Sequence, residues 1–309
     1  MNNHIFFDRL TAAIGAKIAG KKKFFSQSIN SLSFEQLIKR TEIVIPKVSG
    51  EGTSALPKIN GEGTFEVRAI TPAGILDPAF RVEKWVGTNH PTIIYHHGNN
   101  ERPFNYRKGA KNTFLNIFVK AHDAFDANLI VVRAPYHNSS LKDYQEKMTE
   151  LQNFMSMIAT AVKLNETLIV ALRQHSDQPI ITTGMSLGGW VTNLHRALFN
   201  SADRYVPLLA GTFLGELFLE SRYRKMTGEN ALGAAGEIRE LLNFDRAFGG
   251  VESRNVFPLL AKYDQFIEYP VQVKSYGGVD VRTIENGHVT AALNSKDLRN
   301  HILAVLQTC

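Results

Sequence analysis

The sequence predicts an α/β protein with a central, mostly parallel sheet flanked by helices. Three short runs carry that prediction: 91–95 (Pro-Thr-Ile-Ile-Tyr), 129–132 (Leu-Ile-Val-Val) and 180–183 (Ile-Ile-Thr-Thr). They are apolar or β-branched without alternation, as strands are when helices cover both of their faces. Helical patterns stand between them, at 106–125 (Phe114, Ile117, Phe118, Ala121, Phe125) and about 141–174, with Asn165 as a possible break. Strand and helix therefore alternate along the chain, which is the α/β arrangement.

The N-terminal residues Ile5, Phe6, Phe7, Leu10, Ile14, Ile18 and Ala19 recur at helical spacing, interrupted by Arg9 and Lys17. This is an amphipathic helix, too polar to span a bilayer. Its Lys21-Lys22-Lys23 cluster follows the apolar part instead of preceding it, so it is not read as a signal peptide. Packing on the domain is expected, and peripheral membrane contact through residues 1–23 is the alternative. A short helix is expected over 32–40 and a strand over 41–47 ending at Pro46. Residues 49–63, with four glycines and Pro57, read as a loop. Runs at 64–71 and 81–86 alternate apolar with polar residues, as half-exposed antiparallel strands do.

After the third buried run, 190–199 has helical spacing and no breaker. Strands are expected at 205–209, 255–261 and 279–284, and a last helix over 293–308. The stretch 212–250 is too long for a simple connection. It reads as a crossover helix enlarged by a lid-like insertion, with a plain pair of surface helices as the alternative. The expected organisation is a helical extension over 1–40 packed on one α/β domain over 41–309.

With 44% hydrophobic and 21% charged residues, the composition is that of a globular protein. The one cysteine, Cys309, excludes an intrachain disulfide and a cysteine metal cluster, which fits a reducing, cytoplasmic setting. The net charge is +6, yet no basic stripe is interleaved with aromatics, so a nucleic-acid partner is not expected. His96 and His97, with His137, invite a metal proposal. Adjacent residues of a strand point to opposite faces, however, so the pair would not readily hold one ion. No metal and no cofactor is expected.

The run 180–183 breaks into Gly184-Met185-Ser186-Leu187-Gly188-Gly189, and a helix follows. A strand-to-helix turn this tight needs small residues two before and two after its tip. It also lifts a serine to a helix N-terminus, beside unpaired backbone N–H groups, above all that of Leu187. A serine hydroxyl becomes a nucleophile only when a base takes its proton, so a base and an acid are needed near other strand ends. Asp264 directly follows the 255–261 run, and His288 follows the last strand across Glu285-Asn286-Gly287. His195 and His301 lie inside helices and Asp280 begins or lies within a strand, so these are weaker candidates.

From about residue 64 onward the sequence resembles the α/β-hydrolase superfamily. The resemblance rests on Gly184-Met185-Ser186-Leu187-Gly188, on Asp264 with Ile267 after it, on Gly287-His288, and on Tyr95-His96-His97-Gly98 after an early strand. It implies a serine nucleophile, Ser186, with His288 as general base and acid and Asp264 orienting it. It also implies an oxyanion hole from the backbone N–H of Leu187 and of Asn99, or less surely of Gly98 or Asn100. The run Arg133-Ala134-Pro135-Tyr136-His137 departs from the family pattern. Arg133 and Tyr136, with Asn100, are candidates for facing substrate, although Arg133 could equally pair with a surface carboxylate.

The implied activity is hydrolysis of a carboxylic ester or related small-molecule acyl compound through an acyl-enzyme. A serine nucleophile argues against dehalogenase or epoxide hydrolase chemistry, which requires a carboxylate. Esterase, lipase, thioesterase, peptidase and acyltransferase all share the triad. Two other readings are a non-catalytic binding protein on the same fold and a membrane-surface lipase or acyltransferase.

Overall fold

A computed structural model of the chain describes residues 2–46, 53–54 and 59–308. Lys47, and residues 49–52 and 55–58 of the expected loop, lie outside the described residues. Helix α1 (Asn3–Ala19) opens on Asn2, whose side chain accepts the His4 N–H at 2.9 Å. Helix α2 (Phe34–Lys39) opens on a reciprocal cap between Ser33 and Gln36. Strands β1 (Glu42–Pro46) and β2 (Thr53–Ser54) follow, then β3 (Gly63–Glu66), β4 (Arg68–Thr71), β5 (Gly74–Leu76) and β6 (Ala79–Lys84). The single strand expected over 64–71 is two, parted at the buried Val67, whose N–H bonds Pro78 O at 3.0 Å. β4 joins a small antiparallel sheet of order β2-β1-β4-β5, whereas β3 stays with the main sheet.

The main sheet adds β7 (Thr92–His96), β8 (Asn128–Arg133), β9 (Ile180–Met185), β10 (Arg204–Leu208), β11 (Leu259–Ala261) and β12 (Arg282–Ile284). Its order is β12-β11-β10-β9-β7-β8-β6-β3, parallel from β12 through β8 and antiparallel at β6 and β3. Every residue of β7, β8 and β9 is buried, as the absence of alternation in those runs requires.

Helix α3 (Thr113–Ile117) starts later than the pattern from residue 106 implies, because the Asn112 side chain caps it through the Leu115 N–H. A 3₁₀ turn, Val119–Ala124, completes that connection. Next come α4 (Leu141–Lys147) and α5 (Leu151–Arg173). The break lies at 148–150, not at Asn165, which is buried inside α5 and donates to Thr182 Oγ1 of β9 at 3.2 Å. Among the described residues α5 alone is long and apolar enough to cross a membrane, and 83% of that stretch is buried within the domain.

Helix α6 (Leu187–Leu198) follows β9 directly. The stretch 212–250 holds α7 (Leu214–Leu219), α8 (Glu229–Gly233), α9 (Ala235–Leu242) and α10 (Asp245–Gly249). It is anchored by Phe218, buried against the rings of Phe24, Phe25 and Phe154 at 4.7–5.3 Å. Helices α11 (Tyr269–Gln272), α12 (His288–Leu293) and α13 (Ser295–Leu306) complete the chain, the last two parted at Asn294, which caps α13.

Candidate active site

Ser186 stands between β9 and α6 with φ 54° and ψ −110°, a conformation that costs a side-chain-bearing residue free energy. The turn closes because its neighbours lack side chains. A Cβ on Gly184 would lie 2.3 Å from Gly188 O, and one on Gly188 would lie 2.0 Å from His96 O. The Ser186 N–H is fixed to Leu208 O of β10 at 2.8 Å. The hydroxyl makes no hydrogen bond among the described residues, and the Leu187 N–H at the first position of α6 has no preceding turn to bond.

Asp264 and His288, the residues expected as acid and base, stand at the ends of adjacent strands, β11 and β12. Buried Asp264 accepts the N–H groups of Phe266 (2.8 Å) and Ile267 (2.7 Å) through Oδ1. Its Oδ2 lies 2.7 Å from His288 Nδ1. With Nδ1 donating to this carboxylate, His288 Nε2 is left as the proton acceptor. The ring also stands edge-on to Phe266 at 5.4 Å. Burial depresses the His288 pKa, but Asp264, helped by Asp8, outweighs it and leaves the pKa above the usual histidine value. Asp264 and His288 are thus in contact. Ser186 is not hydrogen-bonded to His288, a link that in such sites often tightens only with substrate present.

The loop after β7 is held from several sides. His97 Nε2 accepts the Ala134 N–H (3.1 Å), which makes Nδ1 the donor to Gly98 O (2.7 Å). His137 Nε2 accepts the Asn100 N–H (3.3 Å), which makes its Nδ1 the donor to Pro135 O (3.0 Å). Burial, the largest influence, holds His97 well below the ordinary value, His137 at about 4 and His96 at about 3, so all three are neutral. Both ring nitrogens of His97 and of His137 are thus committed to backbone groups.

The Asn99 side chain donates to Tyr223 Oη (3.1 Å) and accepts from Tyr144 Oη (2.5 Å), while Lys111 Nζ bonds its carbonyl (2.9 Å). The Asn99 N–H is left without a partner among the described residues, whereas that of Asn100 is taken by His137. Sequence reasoning had no signal for Lys111, Tyr144 or Tyr223 as the groups that fix Asn99.

Arg133 is engaged elsewhere. Its guanidinium grips Glu66 (2.6 and 3.2 Å) and Asp77 O (3.0 Å), so the surface-carboxylate pairing occupies the group considered for substrate. Half-buried Tyr136 has φ 67° and lines a hollow with Asn100 and Tyr144. A second cavity of about 120 Å³ lies beside Asn100, between Phe24, Tyr144, Met148, Tyr223 and Met226, with Lys22 and Gln145 also bordering it.

The sequence matches no family model and no curated protein. Solved structures do match. An acetyl xylan esterase from Thermoanaerobacterium sp. superposes with a TM-score of 0.54 at 13% identity, over 91% of this chain and 96% of its own. An acetyl xylan esterase from a Paenibacillus species gives 0.51 at 11% identity, over 98% and 95%. The acylaminoacyl peptidase of Pyrococcus horikoshii gives 0.52 at 15% identity, over 80% of this chain and 41% of the peptidase. At such identities the likeness is one of architecture, and it agrees with the sheet order and the elbow at Ser186: the chain has the α/β-hydrolase fold.

Proposed function

We propose that the protein is a serine hydrolase that cleaves a carboxylic ester or related acyl compound. The observation that carries this reading is the 2.7 Å bond from His288 Nδ1 to Asp264, which leaves Nε2 basic at the same end of the sheet as the strained Ser186. In the proposed reaction, His288 Nε2 takes the Ser186 proton as Oγ attacks the acyl carbon. The oxyanion is met by the N–H groups of Leu187 and Asn99. His288 then returns the proton to the leaving group, and water repeats the sequence to release the acid and free Ser186. Asp264 stays ionised throughout and stabilises the imidazolium. The esterases and the peptidase that share the fold support acyl chemistry of this kind. The aromatic, methionine-lined cavity beside Asn100 favours an apolar acyl group.

The test is intact-mass labelling with a fluorophosphonate. One adduct on the unmodified chain, absent from Ser186→Ala and His288→Ala, is expected. A folded chain that takes no label would favour the binding-protein reading.

One observation favours a membrane-surface setting for the same chemistry. Helix α1 packs on the domain through Asp8, Ala12 and Ala19, and turns Phe6, Phe7, Leu10, Ile14 and Ile18 outward, each 44–55% exposed. Arg9 and Lys17 of the helix, with Lys21 and Lys23 just after it, add positive charge while Lys22 pairs with Glu146, and the only acid before residue 35 is the buried Asp8. An apolar stripe with one sign of charge suits an anionic lipid surface. Co-sedimentation with vesicles containing phosphatidylglycerol should be lost in Phe7→Ser/Leu10→Ser/Ile14→Ser. Equal pelleting of both chains would end this reading.

A further inference from the structure

The N-terminal helix reaches the reacting groups through one fully buried side chain, Asp8. Its Oδ2 accepts the N–H of Gln265 at 3.1 Å and of His288 at 2.8 Å, and its Oδ1 accepts that of Val289 at 2.9 Å. Gln265 follows Asp264 directly, and His288 is the base itself. One carboxylate therefore joins the backbone of the acid loop to that of the base loop.

The surrounding fit is close. A Cβ on Gly287 would lie 2.8 Å from Asp8 Oδ2 and 2.8 Å from His4 O, so only glycine lets α1 seat this near to His288. On either side, His4 Nδ1 bonds Thr290 Oγ1 at 2.8 Å and its ring stacks on Tyr263 at 6.1 Å. No other acceptor bonds these three N–H groups among the described residues, so removing the carboxylate would leave them without a protein partner in a partly buried place.

We propose that Asp8 is a positioning residue for the reaction: it locks the Asp264 and His288 loops in register and sets the electrostatic environment of the imidazole from its backbone side. The proposal rests on the reading of Ser186, Asp264 and His288 as the reacting set. The charges that act on His288 are Asp264 from the loop after β11, Asp8 from α1 and, in the opposite sense, Lys111 from the loop before α3. Burial and the neighbouring Asp264 raise the pKa of Glu268 on the same loop. The Asp8 negative charge stabilises the imidazolium that forms when His288 takes the serine proton. Burial raises the Asp8 pKa and the N–H donors hold it back, the state that receives three donors being the carboxylate.

Asp8→Asn keeps the size of the side chain, replaces one acceptor oxygen by an amide and removes the charge. The kcat of ester hydrolysis should fall roughly ten- to a hundredfold, as misplaced catalytic groups cost, with KM little changed. The acid limb of the kcat/KM profile against pH should also move to lower pH, because His288 loses a neighbouring negative charge. Asp8→Glu, which restores the charge with a longer reach, should return the limb toward its original position while kcat stays reduced. A merely structural role would leave the pH limb in place.

Fluorophosphonate labelling of the unmodified chain serves as the control. If that chain is not labelled, the reading of Ser186 fails first. If it is labelled and Asp8→Asn keeps both its kcat and its pH limb, the proposed role of Asp8 is overturned. Should Asp8→Asn not fold, Asp8→Glu tests the same clamp, since its longer side chain displaces the carboxylate from the three N–H groups while keeping the charge. An unchanged kcat in that variant would equally overturn the proposal.

Discussion

Replacing Ser186, the proposed nucleophile, by glycine should make this protein more stable, and the elbow geometry sets the size of the effect. Ser186 holds φ 54° and ψ −110°, a state that costs about 1–3 kcal/mol for a residue with a Cβ. Glycine adopts it without steric penalty but brings about 0.5–1 kcal/mol of extra backbone entropy to the unfolded chain. The hydroxyl has no hydrogen bond to lose, and the N–H bond to Leu208 O is kept. The balance for Ser186→Gly is a gain of about 1 kcal/mol, or roughly 1–2 °C in melting temperature for a domain of this size. Ser186→Ala keeps the Cβ and hence the strain, so it should stay within about 0.5 kcal/mol of the unmodified chain. Both variants should be inactive. Urea denaturation of the three chains, compared at equal m-value, gives the ordering directly. If glycine proves no more stable than alanine, the elbow holds no usable strain and the reasoning fails.

Other expectations follow from the same contacts. Gly188→Ala should prevent folding or cost at least about 3 kcal/mol, because its Cβ meets the His96 carbonyl at 2.0 Å and backbone cannot swing aside; a soluble variant with an unchanged urea midpoint would contradict this. Asp264→Asn should lower kcat by roughly 10³–10⁴-fold with little change in KM, since the amide cannot hold the donor tautomer of His288; steady-state kinetics on a chromogenic ester measures it. The proposed reaction requires neutral His288, whose pKa lies above the ordinary histidine value of about 6.5. The acid limb of kcat/KM should therefore have its midpoint above 6.5, and a midpoint at or below that value would count against the His288–Asp264 coupling. By linkage the same group adds stability that is fully present below about 6.5, its unfolded value, and is lost as the pH rises through the higher folded value.

The parts of this site that could be read from sequence are those whose constraints are local. The elbow is dictated within five residues, because Gly184 and Gly188 must both yield space to backbone atoms. The strands β7, β8 and β9 are legible because burial on both faces removes alternation from their sequences. Legibility fails where a distant partner decides. Asn165 looks like a helix break on propensity, but its amide donates to Thr182 of the neighbouring strand and α5 runs through. The run 64–71 looks like one strand, because local pattern cannot tell that Val67 hands the chain from one sheet to another. Arg133 sits where a substrate contact would be plausible, and only the fold brings Glu66 to it.

Helix α1 is the sharpest case, because hydrophobic periodicity points to the wrong side of it. Phe6, Leu10 and Ile14 mark the apolar stripe, and that stripe is the exposed one. The packed face is built from small residues, Ala12 and Ala19, which let the helix approach closely, with Asp8 among them. An acid on a small-residue face, in a segment otherwise basic, is the signal that could have been used: a carboxylate so placed must find donors within the domain. It finds them 257, 280 and 281 residues away, at Gln265, His288 and Val289. The two faces of α1 are therefore coupled mechanically. Any contact that lifts the outer face away from the domain strips the acceptor from three partly buried N–H groups, one of them that of the proposed base, whereas a contact that presses the helix inward leaves the loops of Asp264 and His288 joined.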